Sequence, residues 1–233
     1  MDDPRPIGAP AGPESTRSLR QPMFKVPPAT AAIVGALSAI FAAITLGPDS
    51  WADAALSYFS LVPTRFEALA GRPFWPYWPA AGASLLSYAV IHIDPLHFVM
   101  NIGFLLAFGT FCERALGPRR YIALIVGGAL AGGLTQVVAD WGDVVLIHGA
   151  SGAVFASFGG MIRVMIGHGA DRRRRRLAIR LTVVMMALNL ALGLTGPGFL
   201  ISGASIAWEA HIGGFIAGFV LARRTSPRSM PGA

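Results

Sequence analysis

His148-Gly149-Ala150-Ser151-Gly152-Ala153 places one serine among small residues at the head of an uncharged run that continues to Ile162. A hydroxyl in that setting reads as a nucleophile inside a membrane. Two further stretches give it company: His97-Phe98-Val99-Met100-Asn101 upstream, and Ala210-His211-Ile212-Gly213-Gly214 downstream. Each presents polar groups where lipid makes idle ones costly, so each is a candidate functional position.

The rest of the chain agrees with a membrane setting. Of 233 residues, 54% are hydrophobic and 13% charged, against about one quarter charged in a soluble domain. This excludes an ordinary soluble fold and indicates a polytopic membrane protein. The single cysteine, Cys112, excludes an intramolecular disulfide and any cysteine-based metal cluster; neither metal nor cofactor is expected. The 19 basic residues outnumber the 12 acidic ones, but they flank apolar spans rather than line one polar face. No nucleic-acid partner is expected, and the charges report orientation.

Residues 1–28 carry seven prolines and four basic residues without apolar periodicity, which predicts a disordered tail. No short apolar region with a cleavage site precedes Ala29, so a cleaved signal peptide is not expected. From Ala29 to Leu46 eighteen residues carry no charge, nearly enough to cross a hydrocarbon core of about 30 Å as a helix. Gly47 to Ile93 holds five prolines and, between Trp51 and Trp78, eight aromatics, the mixture of a long, partly helical interfacial loop. Uncharged or nearly uncharged runs follow at Pro95–Cys112, Tyr121–Ala139, Val144–Ile162 and Leu181–Ala222. The last, 42 residues long, is two helices broken at Thr195-Gly196-Pro197-Gly198. The predicted fold class is an all-α membrane protein of six transmembrane helices spanning 29–224, followed by a short tail, 225–233.

Seventeen of the nineteen basic residues fall on one side of such a bundle; only Arg65 and Arg72 fall on the other. The positive-inside rule then places both termini in the cytoplasm and all five tryptophans toward the outer face. The block Arg172–Arg176 reads as a cytoplasmic stop-transfer anchor rather than as a binding site for nucleic acid or anionic lipid.

With this orientation spans two, four and six run the same way, and His97, Ser151 and His211 lie at similar depth. His97 and Asn101, four residues apart, share a helical face. Gly152, Ala156 and Gly160 recur every fourth residue, as do Ala210, Gly214 and Gly218. Such small-residue stripes are packing faces in their own right. Packing and chemistry are compatible, because close backbones let a serine and a histidine share a hydrogen bond. His211 is the candidate base that takes the Ser151 proton during attack. The Ser151 N–H, the His97 ring and the Asn101 amide are candidate donors to the oxyanion that forms. Glu209, two positions before His211, points away on a helix, so a Ser–His dyad with no third acid is expected.

These residues resemble the rhomboid family of intramembrane serine proteases over roughly Trp51 to Arg224. Its Gly-x-Ser-Gly is Gly149-Ala150-Ser151-Gly152, and its His-rich motif ending in Asn is carried by His92, His97 and Asn101. Its Ala-His-x-x-Gly is Ala210-His211-Ile212-Gly213-Gly214, and Glu113-Arg114-Ala115-Leu116-Gly117 is similar to the Glu-x-x-x-Gly that closes its second span. The resemblance implies a six-helix bacterial form in the inner membrane. It also implies Ser151 and His211 as catalytic residues and Phe155 as the aromatic packed on the imidazole, while the small-residue faces themselves put Gly149, Gly152, Gly214 and Gly218 at helix contacts. The chain departs from many members in the first loop, where Ala83-Ser84 stands in place of Trp-Arg, so that loop is expected to be held differently. The implied activity is cleavage of single-span transmembrane proteins near the outer face. A non-catalytic binder of transmembrane helices is the alternative. A small-molecule transporter would show paired broken helices in an inverted repeat, and none is seen.

Overall fold

The computed structural model describes residues 25–70, 78–167, 169–195 and 207–223. The tail 1–24, Arg72, Trp75, the Gly196-Pro197-Gly198 break, Arg224 and the segment 225–233 lie outside them. Among the described residues the fold is all helical; its single β feature is an isolated antiparallel bridge between Leu61 and Ile147.

Helix α1 (Pro28–Leu46) opens with proline in its first turn, where a missing N–H costs nothing. The loop that follows holds α2 (Asp49–Phe59), α3 (Thr64–Ala70) and α4 (Trp78–Ser87), then a 3₁₀ turn, Tyr88–Val90. Helix α5 (Pro95–Leu116) starts where the Asp94 carboxylate accepts the His97 N–H at 2.6 Å, a side-chain cap. It widens to a π segment at Leu105–Gly109 and stops at Gly117, whose φ of 83° only glycine adopts at ease. Pro118 then begins α6 (Pro118–Ala139). Helices α7 (Ser151–Met165), α8 (Arg172–Thr195) and α9 (Trp208–Leu221) complete the bundle.

Four described helices are long and apolar enough to cross a membrane: α1, α5, α6 and the Arg172–Gly193 part of α8. The apolar α7 and α9 are shorter. Two expected boundaries are corrected. The fourth apolar run does not become helix at Val144. Leu61 and Ile147 exchange backbone bonds of 3.0 and 2.9 Å, and Gly149, at φ 117°, turns the chain before α7 can begin. Helix α8, in contrast, starts nine residues before Leu181, taking in the arginine block, because arginine is a good helix former that a hydropathy reading discards.

The bundle is apolar on its outside. Along α6, Ile122, Val126, Leu130, Leu134 and Val138 are all exposed at four-residue spacing, while Gly128, Ala129, Gly132, Gly133 and Gln136 are buried. The exposed stripe is large and apolar, while the buried face is rich in small residues beside Tyr121, Leu124 and Val137, as lipid rather than water as solvent allows. The innermost layer is the trio α6, α7 and α9, packed each against the other two.

The first loop is held through Tyr88. Its hydroxyl donates to the Ala129 carbonyl at 2.8 Å, and its own carbonyl accepts the Gly149 N–H at 2.8 Å. Ser84 is fully buried and returns its hydroxyl to the Ala81 carbonyl of its own helix at 2.7 Å. At the far end of the bundle the buried Glu113 carboxylate accepts from the Ala29 N–H at 3.0 Å, the Thr30 N–H at 2.7 Å and the Thr30 hydroxyl at 2.8 Å. It thereby satisfies orphan donors at the start of α1.

Candidate active site

Ser151 is the first residue of α7. The chain reaches it through Gly149, where a side chain is excluded twice: by the positive φ, and by the His97 ring, whose Cε1 would stand 2.5 Å from an added Cβ. Gly149 therefore packs closely against the imidazole that α5 presents. The next N–H, of Ala150, donates to His92 Nε2 at 3.2 Å. The loop before the serine is thus fixed by Tyr88, His92 and His97 acting on consecutive stretches of backbone.

The Ala150 bond needs a neutral His92. Burial, reinforced by the neighbouring His97 and His148, lowers its pKa to about 3. Between that value and its ordinary 6.5 the unfolded chain binds the proton and the folded chain does not. Stability from this group is therefore complete above 6.5 and falls as pH drops toward 3. His92→Leu should leave the Ala150 N–H without an acceptor and cost about 1–3 kcal/mol, seen as earlier melting in detergent. His92→Gln, whose amide oxygen accepts, should recover part of the loss; equal melting of the Leu variant and wild type would remove His92 from this role.

His97 and Asn101 occupy one face of α5. The Asn101 amide donates to the His97 carbonyl at 3.0 Å, and its side chain is buried. One of its two N–H groups is used there, leaving chemistry for the other.

His211 comes to the same place because α7 and α9 meet backbone to backbone. A Cβ on Gly214 would overlap the Gly152 carbonyl, one on Gly218 the Ala156 carbonyl, and one on Gly159 the Phe215 carbonyl. Gly152, Gly214 and Gly218 are the small residues expected at this contact. With the helices this close, Phe155, one turn after Ser151, lies flat on the His211 ring: centroids 4.3 Å apart, planes 4° from parallel.

Two polar residues that sequence reasoning passed over complete the surroundings. Asn189 of α8 is buried, with its Oδ1 2.5 Å from His211 Nδ1 and its Nδ2 donating to the Trp208 carbonyl at 3.2 Å. Gln136 of α6 accepts the Ala210 N–H at 3.0 Å and donates to Glu209 Oε2 at 3.2 Å and Asp140 Oδ2 at 2.8 Å. Glu209 is therefore engaged with α6, while the group at His211 Nδ1 is an amide. Asn189, and Gln136 beside Thr135, are polar residues inside apolar runs, the same signal that marked His97 and Asn101. Among the described residues no three His, Cys, Asp or Glu side chains are grouped to hold a metal ion.

Chemically, the start of α7 offers N–H groups that no intrahelical carbonyl can satisfy, a serine hydroxyl, and a buried imidazole on the facing helix. That is the equipment of acyl transfer. Residues 79–228 match the family model of the Rhomboid domain. The chain is 31% identical over 137 residues to RHOMBOID-like protein 5 of Arabidopsis thaliana, covering 59% of this chain and 42% of that protein. To rhomboid protease GlpG of Pectobacterium atrosepticum it is 28% identical over 165 residues, 66% of this chain and 56% of that protein. To rhomboid protease GluP of Bacillus subtilis it is 30% identical over 142 residues, 59% of this chain and 25% of that protein. The chain thus spans from a quarter to just over half of these relatives' lengths. A match over that much of the sequence, centred on the helices just described, makes this multi-pass membrane protein a member of the rhomboid family.

Proposed function

We infer that the protein is an intramembrane serine endopeptidase that uses Ser151 and His211 to cleave transmembrane-helix substrates near the outer membrane face. The observation that carries this reading is the Phe155–His211 stack. It sets the imidazole on the side chain one helical turn after Ser151, on a helix that small residues allow to come this close. Attack by Ser151 Oγ on a peptide carbonyl transfers its proton to the imidazole. The oxyanion is met by N–H groups at the start of α7, by the His97 ring and by the second N–H of Asn101. The imidazolium then protonates the leaving amine, and water hydrolyses the acyl-enzyme by the same proton route in reverse.

The substrates are single-span membrane proteins whose helix unwinds to expose a carbonyl, and the surrounding partners are membrane lipids. The setting is a bacterial inner membrane with both termini cytoplasmic, supported by the split of the basic residues. Reporter fusions after Ala233 and within residues 140–148 should report opposite compartments; one shared compartment would refute this orientation.

The purified protein in detergent or liposomes should cut a reporter transmembrane substrate and be labelled by a fluorophosphonate at Ser151. Binding of such a helix with neither cleavage nor labelling would favour a non-catalytic binder of transmembrane helices.

A further inference from the structure

We propose that Asn189 is a positioning residue for the imidazole, holding His211 in the tautomer and ring orientation that a general base requires; this rests on the serine-protease reading. The amide's own bonding settles its orientation. Its Nδ2 faces the Trp208 carbonyl, which can only accept, so Nδ2 is the donor there and Oδ1 is the atom turned to His211. An amide oxygen has no proton to give. The hydrogen between Oδ1 and His211 Nδ1 therefore belongs to the ring, and the opposite nitrogen, Nε2, is left bare. A bare Nε2 is the nitrogen that can take the Ser151 proton.

Three constraints then act on the same ring. The α7–α9 contact fixes where it sits, Phe155 fixes its plane, and Asn189 fixes its rotation within that plane. Without the third, a ring flip would turn Nδ1 toward the serine, and a tautomer change would put a proton where a lone pair is needed. Both side chains are buried, so water does not replace the bond.

The choice of amide over carboxylate follows from the surroundings. A carboxylate at position 189 would put a charge in the apolar bundle for as long as the imidazole is neutral, whereas the amide dipole needs no counterion. Proton balance during turnover is unchanged by the residue. The Ser151 proton goes to Nε2 and from there to the leaving amine, while the Nδ1 hydrogen stays on the ring throughout, donated to Asn189.

Asn189→Leu, which keeps the branched shape but not the hydrogen bonds, and Asn189→Asp separate positioning from packing. In Asn189→Leu, kcat for a reporter transmembrane substrate should fall roughly 10- to 100-fold with KM unchanged, part of the ~10²–10⁴ that a positioned general base supplies. In Asn189→Asp, kcat should return to within several-fold of wild type. The acid limb of its kcat/KM profile should move to higher pH, because a carboxylate beside the ring favours the imidazolium. Nitrogen-15 spectra of the His211 ring, assigned by loss of the signal in His211→Ala, should show the Nδ1–H tautomer in wild type and a mixture in Asn189→Leu.

Any of three results would overturn the proposal: wild-type kcat in Asn189→Leu, no change of tautomer in that variant, or a lost activity that merely tracks a lowered melting temperature and is not recovered by Asp. Failure of the protease reading looks different: wild type itself would neither cleave nor react with a fluorophosphonate.

Discussion

Ser151→Ala and His211→Ala are each expected to reduce cleavage of a reporter transmembrane substrate by roughly 10³-fold or more, and the double variant to be no worse than either alone. The reason is that the two groups act in one event. The hydroxyl is a poor nucleophile without a base, and the imidazole has nothing to deprotonate without the hydroxyl. Fluorophosphonate should label wild type and label His211→Ala far more slowly. Removing His211 also unstacks Phe155 and frees Asn189, so detergent melting must be followed alongside. Lost activity with near-normal melting places the effect in the chemistry. Additive losses in the double variant, or continued cleavage by Ser151→Ala free of contaminating protease, would end the dyad.

Gly214→Val should be nearly as damaging by a different route. Its Cβ would overlap the Gly152 carbonyl, which is backbone and cannot rotate away. Helix α9 must therefore shift, carrying His211 off Phe155. Overpacking of this kind costs about 1–3 kcal/mol, and cleavage should fall by more than the melting shift explains, because a displacement of about 1 Å at reacting groups can cost ~10²-fold. The contrast is Gly35→Ala in α1, where nothing lies within 4 Å of an added Cβ. There the better helix propensity of alanine should leave stability level or slightly raised. Equal tolerance of both substitutions would mean that α7 and α9 are not in backbone contact.

What could be read from the residues divides by the range over which each signal acts. Helices α1, α5 and α6 were legible because a long uncharged run has few other uses, and the Ser151, His97 and His211 stretches stood out because lipid gives polar groups no neutral option. The onset of α7 was misread for the same reason: an uncharged run looks alike whether it coils or pairs, and the Leu61–Ile147 bridge joins residues 86 positions apart in the chain. The start of α8 was hidden by charge, which hydropathy treats as an end and a helix does not. Asn189 was invisible as a partner, since nothing in Met185-Met186-Ala187-Leu188-Asn189 says which way that one amide faces; only the packing of α8 beside α9 turns it to His211.

Glu113 has a bearing on how the molecule is made. The donors that it holds at Ala29 and Thr30 leave the ribosome first, and the carboxylate lies 84 and 83 residues behind them. At a synthesis rate of about 5–20 residues per second, the leading helix waits roughly 4–17 s before its anchor exists. Few of its own residues are buried even in the finished bundle, chiefly Thr30 and Leu37. For that interval the helix lacks its Glu113 contacts, and its apolar surface can engage whatever the insertion machinery offers. Nascent chains halted before and after Glu113 emerges should accordingly differ in how readily the leading helix crosslinks to its neighbours.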